Sequence, residues 1–551
     1  MIDQRKEIEH MKTIGIGIQD FAKIADKNMF YIDKTAFLKE WWENQDSVTL
    51  ITRPRRFGKT LLMSMTDYFF SVNHSDCKKY FEGLDIWKEE KFRELQGTYP
   101  VIFMSFADIK GSTYEKTRMG VIHKITKLYT DFEFLKRTGV LSGRDLEFYD
   151  SVSVDMGDDV AGIAIQYMCD YLRRYYGKNA LVLLDEYDTP LQEAYVNDYW
   201  KELADFIRSL FNSTFKTNPY LERGLLTGIT RVSKESIFSD LNNLEVVTTT
   251  SEKYSTSFGF TEKEVEKLCK QYGMDMEEVK NWYDGYSFDG VPSVYSPRSV
   301  VNSMRFQKIS NYWNQTETFE ALQVYIDMNF EHLKDDVLSM IAGESVAVNT
   351  ESFTNDMETF RTEDDVLTLL IHLGYLTYDD KTKTVKIPNS EIRAEYVNTV
   401  SVSDWGSVSK ALKDSADTLN AIWQGREEQV SKAIEQAHFE TSHIQYNDEN
   451  ALSYTISLAL YAARNFYTIH RELAGGKGFA DLVFIPKKQF AEKPALVVEL
   501  KWDKGAEGAI KQIKDKKYFE SLEEYKNNML LVGINYDRKT KTHKCKIEKL
   551  K

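Results

Sequence analysis

Cysteine is scarce: Cys77, Cys169, Cys269 and Cys545 are the only four in 551 residues, and no two form a C-x-x-C pair. A disulfide framework and a structural zinc site are therefore not expected, and the usage fits a reducing compartment. No apolar run approaches the roughly 20 residues that a membrane-spanning helix needs. The opening MIDQRKEIEH lacks the apolar segment of a secretory signal, so the expectation is a cytoplasmic protein without a membrane partner. Internal repeats and low-complexity segments are missing as well. Positive charge is short, with 71 Lys and Arg against 85 Asp and Glu and a formal net charge of −14. That excludes a protein that coats nucleic acid with its whole surface.

What remains is ample for folding. With 42% hydrophobic and 13% aromatic residues the chain can bury several cores, and its length suits about three to four domains. The charge is uneven. From Lys477 to the end, 18 Lys and Arg outnumber 11 Asp and Glu, which leaves the rest of the chain near −21. A basic end on an acidic body suits local contact with a polyanion, or is a solvated lysine-rich surface.

The stretch Val48–Thr60 reads as a buried strand, a tight basic loop and then Gly58-Lys59-Thr60 opening a helix. Loop amides and a helix N-terminus aimed at one point make a phosphate cradle. Lys59 would reach the β- and γ-phosphates of ATP, and Thr60 would offer its hydroxyl to Mg²⁺. Arg55, Arg56 and Phe57 fill the loop, with the arginines facing phosphate or a neighbouring subunit. The usual pattern is G-x-x-x-x-G-K-[ST], and Arg53 stands where its first glycine belongs.

Further apolar strands are expected at 99–106, 180–185 and 224–231, separated by helices near 113–137, 157–176 and 198–216. Four strands without polar alternation predict a parallel sheet covered on both faces. Ligands of such sheets lie beyond the carboxyl ends of the strands, where Asp108, Asp185-Glu186 and Thr230-Arg231 fall. Asp185 would hold the Mg²⁺ water shell and Glu186 would polarise the attacking water. Thr230 and Arg231 would contact the γ-phosphate, or Arg231 would pair with a carboxylate.

Residues 261–305 are expected to be helical and then aromatic and turn-rich around Trp282–Gly290, as a partner surface or as a packed core. Thr362–Asp365 is a capping signature ahead of a helix, and 375–387 reads as a hairpin, together a winged-helix-like module. Acidic Asp379 and Asp380 at its tip favour packing against protein over contact with DNA. A polar boundary lies near 398–406.

In the last segment a glycine-rich turn at 475–478 leads into a strand carrying Asp481, and a second strand carries Glu499 and Lys501 on one face. A hairpin would bring Asp481 and Glu499 together. Two carboxylates and a lysine at one point can hold Mg²⁺, with Mn²⁺ as a substitute, and place a water for attack on a phosphodiester. His438 and His443 do not share one helix face well, and His470 suits packing or a salt bridge.

The runs I-D-K-T (32–35), R-P-R-R-F-G-K-T (53–60), L-L-D-E-Y-D (183–188), L-T-G-I-T-R (226–231), S-I-F-S-D-L-N-N-L (236–244) and F-G-F-T-E-K-E-V (258–265) together resemble the AAA-ATPase-like domain of a bacterial family. In that family the ATPase is fused to a C-terminal PD-(D/E)XK nuclease-like domain, and arginine in place of the first glycine is shared. Asp481, Glu499 and Lys501 match the nuclease motif. By the same resemblance Glu449 matches its N-terminal helix acid, and Gln512 and Tyr518 look like the Gln-and-Tyr motif of RecB-type members. Ala480 stands where a proline usually precedes the first acid.

The resemblance implies an α/β protein: a P-loop domain over 1–260, a helical and winged-helix-like region over 261–400, and a restriction-endonuclease-like domain over 401–551. The expected function is an ATPase that regulates a Mg²⁺-dependent nuclease acting on nucleic acid, DNA favoured, with homo-oligomers possible and a role in defence or a mobile element by analogy. The alternative is a nucleotide switch whose nuclease-like fold binds a protein or nucleic acid without cutting.

Overall fold

The computed structural model describes residues 12–230, 237–238, 241–288, 291–313, 320–328, 330, 332–351, 353, 360–402, 407–440, 449–475 and 478–550. The chain forms two compact units, Met1–Trp313 with Ala347–Glu391, and Asn314–Val346 with Ile392–Lys551.

The first unit is built on a parallel sheet. Its strands are β1 (Val48–Thr52), β2 (Val101–Ser105), β3 (Ala180–Asp185), β4 (Leu221–Gly228) and β5 (Leu244–Val247), in the spatial order β2-β3-β4-β1-β5. All residues of β1 and β3 are buried, as expected of strands covered on both faces. Its helices include α1 (Lys59–Phe70), α2 (Tyr114–Asp131), α3 (Asp158–Tyr176), α4 (Thr189–Val196) and α5 (Trp200–Phe211). Ile122 and Ile125 of α2, Ile165 and Met168 of α3 and Ile207 of α5 share one core with Val182 and Leu184 of β3.

Three expectations change. A fifth strand, β5, joins the four read from the sequence. The expected helix at 198–216 ends at Phe211 and continues as a π-turn over Asn212–Lys216. The strand expected to end at Arg231 ends at Gly228, so Thr230 lies in the following turn. One strand, β4, stands between the phosphate-loop strand β1 and the acid strand β3. Pairing of Thr52 with Gly228 and of Ser105 with Asp185 brings these strand ends to one edge.

Beyond the sheet, β6 (Phe260–Thr261), α6 (Glu262–Tyr272), α7 (Met276–Tyr283), β7 (Tyr286–Phe288), β8 (Val291–Tyr295) and α8 (Pro297–Phe306) form a small module. A Thr261–Glu264 capping box starts α6. The aromatic cluster is core here: Tyr272, Tyr283 and Tyr295 pack with Val265, Val279 and Val300. A second capping box, Thr362–Asp365, starts α9 (Glu363–Leu373), followed by the hairpin β9 (Thr377–Asp379) and β10 (Thr384–Lys386). The hairpin packs on the aromatic module, with Ser287 N–H donating to Thr377 Oγ1 at 3.0 Å.

The second unit has a mixed sheet, β11 (Tyr467–Gly475), β12 (Gly478–Pro486), β13 (Ala495–Trp502), β14 (Met529–Asp537) and β15 (Thr542–Lys549), in sequence order. Only β13 and β14 are parallel, and α13 (Ala506–Lys516) connects them, since a parallel pair needs a crossover. On one face Leu496 and Val498 pack with α10 (Ser407–Trp423), α11 (Glu427–Glu440) and α12 (Glu449–Ala459). On the other, Ala495 and Val497 meet Ile510 and Ile513 of α13. Among the described residues no helix is long and apolar enough to cross a membrane.

Candidate functional site

The phosphate loop departs from its pattern for a visible reason. Gly58 enters α1 with φ +89°, a conformation that favours glycine. Arg53 is fully buried, and its side chain leaves the cradle. The guanidinium donates to the carbonyls of Thr248 and, at 3.0 Å, Lys253, and lies 4.4 Å from the Phe288 ring. Burial pushes its pKa down to about 9. The residue that replaces the first glycine thus ties the loop to the segment after β5. Phe57 is buried against Tyr286 at 5.0 Å and Phe288 at 5.7 Å. Arg56 has φ +71° and lies 4.5 Å over the Trp313 ring. These two side chains thus pack on aromatic rings, which leaves the loop's backbone amides to face a phosphate. Arg55 is the exposed cation of the loop, with Nη2 donating to Gln192 at 3.4 Å.

Lys59 is buried and donates to the carbonyls of Arg53 at 2.7 Å and Pro54 at 2.9 Å. Burial lowers its pKa to about 8, against the pull of Asp188, Glu186 and Asp185. Asp185, at the end of β3, accepts the Thr227 hydroxyl at 2.5 Å on Oδ1, and the nearby Thr60 hydroxyl draws its pKa down. Its other oxygen, Oδ2, is buried without a hydrogen bond, and burial raises the carboxyl pKa. A threonine hydroxyl beside an orphaned carboxylate oxygen is a hard-oxygen donor set that fits Mg²⁺. Thr60 also lines a cleft of about 510 Å³ with Gln19, Asp20, Ser64 and Tyr68, within the size range of small-ligand sites.

Glu186 has φ +52°, and burial raises its pKa. A non-glycine residue in the left-handed region carries strain of order 1–3 kcal/mol, which concentrates at active sites. Asp108, expected at the same edge, is exposed and pairs with Lys124 at 2.6 Å. Arg231 lies outside the described residues.

The second unit holds the other constellation. Leu482 pairs with Val498 across β12 and β13, which sets Asp481 beside Glu499, as the sequence led one to expect. Asp481 Oδ2 accepts the Leu500 N–H at 2.6 Å. Buried Glu499 accepts Lys501 Nζ at 2.8 Å and Gln512 Nε2 on the same oxygen, Oε1. Gln512 also donates to the Tyr518 hydroxyl at 3.1 Å. Burial raises the Tyr518 pKa, with Glu499 and Asp481 adding to the rise and Lys501 opposing it. Five of the six expected residues thus converge where β12, β13 and α13 meet. Glu449 begins α12, and its side chain lies outside the described residues.

Asp481 and Glu499 supply oxygen donors that suit a divalent cation keeping part of its water shell. Among the described residues there is no group of three or more His, Cys, Asp or Glu that could hold a metal. His438, set aside above, lies 3.1 Å from buried His543, and burial lowers its pKa to about 4. His443 lies outside the described residues.

Sequence reasoning missed Asp188, Gln192 and the anchoring part of Arg53. The available signal was an acid three residues beyond Asp185 at the mouth of a helix.

Residues 15–238 match a family model described as "Predicted AAA-ATPase", and residues 449–546 match the PD-(D/E)XK nuclease superfamily. An "Uncharacterized protein in vnfD 5'region" of Azotobacter chroococcum mcd 1 is 28% identical over 320 residues. The similarity covers 56% of this chain and 54% of that protein, about half of each.

Proposed function

We propose, from the premise that the chain joins an AAA-ATPase-like domain to a C-terminal PD-(D/E)XK nuclease superfamily domain, that ATP turnover in the first controls metal-dependent cleavage of nucleic acid by the second. DNA is the favoured substrate. A cytoplasmic setting, homo-oligomers, and work in defence or for a mobile element belong to the same reading. The observation that carries it is the gathering of Asp481, Glu499, Lys501, Gln512 and Tyr518 at one point. Splayed carboxylates would instead have favoured the switch that binds without cutting.

In the ATPase half, Lys59 binds the β- and γ-phosphates, and loop amides near Gly58 complete the cradle. Thr60 and Asp185 hold Mg²⁺, which when bound neutralises charge on the phosphates. Glu186, its carboxylate made more basic by burial, orients the attacking water. In the nuclease half, Asp481 and Glu499 hold Mg²⁺ or Mn²⁺, which supplies Lewis acidity at the scissile phosphate. Lys501 orients water beside Glu499, and Gln512 fixes the Glu499 carboxylate.

The test is a panel of plasmid, linear duplex, single-stranded DNA and RNA with Mg²⁺ or Mn²⁺, with and without ATP. It compares wild type, Lys59→Ala and Glu499→Ala. Cleavage that needs Glu499 and changes with ATP only when Lys59 is present supports the reading. Every substrate left uncut, with partner capture intact, favours the switch.

A further inference from the structure

Asp188 occupies the position before α4 where an aspartate ordinarily accepts the free amides of the first helical turn, yet its side chain makes no such bond. It is fully buried and reaches back to the turn after β4. Oδ2 accepts the N–H of Ile229 at 2.9 Å, the N–H of Thr230 at 2.9 Å and the Thr230 hydroxyl at 3.0 Å. The same oxygen takes Gln192 Nε2 at 3.1 Å, and Gln192 Oε1 accepts Arg55 Nη2 at 3.4 Å. Tyr187 completes the grip by donating its hydroxyl to the Thr230 carbonyl at 2.8 Å. A continuous hydrogen-bonded path therefore runs from the exposed cation of the phosphate loop, across α4, to Thr230.

Donor counting gives this path a chemical consequence. A threonine hydroxyl has one proton to donate, and an ionised carboxylate only accepts. With its proton directed to Asp188, Thr230 meets an incoming group through oxygen lone pairs. Lone pairs repel a γ-phosphate oxygen and accept a water proton. We infer that Asp188 is a positioning residue for ATP hydrolysis, holding Thr230 as an acceptor for the attacking water, and that Gln192 links that acceptor to Arg55. Thr230 then works beside Glu186 on the water, rather than touching phosphate as the sequence alone had implied. The neighbourhood enforces the arrangement. A Cβ at Gly228 would lie 2.8 Å from Asp188 Oδ1 and 2.6 Å from Tyr187 Cε1, so only glycine leaves the carboxylate its place.

This inference rests on ATP hydrolysis at the first site, and the experiment separates the two. The full-length protein is assayed for ATP turnover and, with fluorescent ATP and ADP, for nucleotide affinity. Asp188→Asn and Thr230→Val should each lower kcat at least about tenfold, as misplaced reacting groups do, while both affinities stay within about threefold. Thr230→Ser, which keeps the hydroxyl, should retain most of kcat. The double variant should be no slower than the slower single one, because both remove one device. Gly228→Ala should resemble Asp188→Asn. Gln192→Ala, which keeps the Asp188–Thr230 bonds, should give a smaller loss in a protein that melts like wild type, and it serves if Asp188→Asn does not fold. A folded Asp188→Asn with wild-type kcat overturns the relay alone, as do multiplicative losses in the double variant. Equal loss of kcat and of both affinities assigns Asp188 a merely structural part and also overturns it. A wild type that binds ATP and never hydrolyses it overturns both readings.

Discussion

Replacing Arg53 with glycine would give the phosphate loop its usual first residue, and by motif logic should improve it. The structure says the reverse. The Arg53 guanidinium bridges the carbonyls of Thr248 and Lys253 and lies 4.4 Å from the Phe288 ring. Thr248 keeps the Ser251 N–H at 3.1 Å, so the acceptors left stranded are the carbonyls of Lys253 and, more weakly held at 3.5 Å, Ser251. One orphaned buried acceptor costs about 1–3 kcal/mol, and the lost cation–π contact about 0.5–2 kcal/mol. The void left by the side chain adds to these losses. Relief of the burial that holds the guanidinium pKa near 9 offsets part of them. A net loss of about 2–4 kcal/mol follows, or roughly 3–5 °C in Tm for a unit of this size. Nucleotide affinity should fall as well, because the backbone carbonyls of Arg53 and Pro54 seat Lys59. Thermal melting and titration with fluorescent ATP measure both effects. An Arg53→Gly protein that melts within about 1 °C of wild type and binds ATP at least as tightly would refute the anchoring argument.

Lys59 has a folded pKa of about 8 against an ordinary 10.5, so between those values the unfolded chain holds more protons. Its contribution to stability therefore rises with pH across that window; phosphates favour the ammonium, so ATP binding near pH 8–9 should take up a proton. Calorimetric enthalpies that do not vary with the buffer's ionisation heat would count against this. Glu391 shows the opposite sign: burial raises its pKa from 4.5 to about 7, against the Ser299 hydroxyl and the N–H groups of Tyr312 and Trp313. The folded protein there holds a proton that the unfolded chain sheds, so stability should decline as pH rises from 4.5 to 7, and Glu391→Gln should flatten that slope in denaturant titrations. Glu499→Gln and Lys501→Ala should each lower DNA cleavage by about a hundredfold or more while ATP turnover stays within about twofold. Loss of ATP turnover in either variant would contradict separate sites.

Much of this protein was legible in the chain. Val48–Thr52 and Ala180–Asp185 are apolar without alternation, and only a strand covered on both faces accommodates that. Gly58-Lys59-Thr60 and the acids at 185–186 then fell at strand ends because the chain must leave a sheet there. Glu499 and Lys501, two apart on a strand, were bound to share a face, and a short connection was enough to bring Asp481 beside them.

Tertiary structure decided the rest. Periodicity did not reveal β5, because its four residues are only partly buried along most of their length. The order that sets β4 between β1 and β3 depends on pairing between residues far apart in sequence. So do the destinations of long side chains. Arg53, Arg55 and Arg56 are near neighbours in one basic run, yet one is buried on distant carbonyls, one is exposed and one stacks on an indole. Asp188 stands where a helix cap would, and only the fold brings the turn after β4 within reach of its carboxylate. Local spacing determines which groups can act, because backbone geometry repeats every few residues. Which partner each group finds is settled only when remote segments close around it, since burial removes water as the alternative partner.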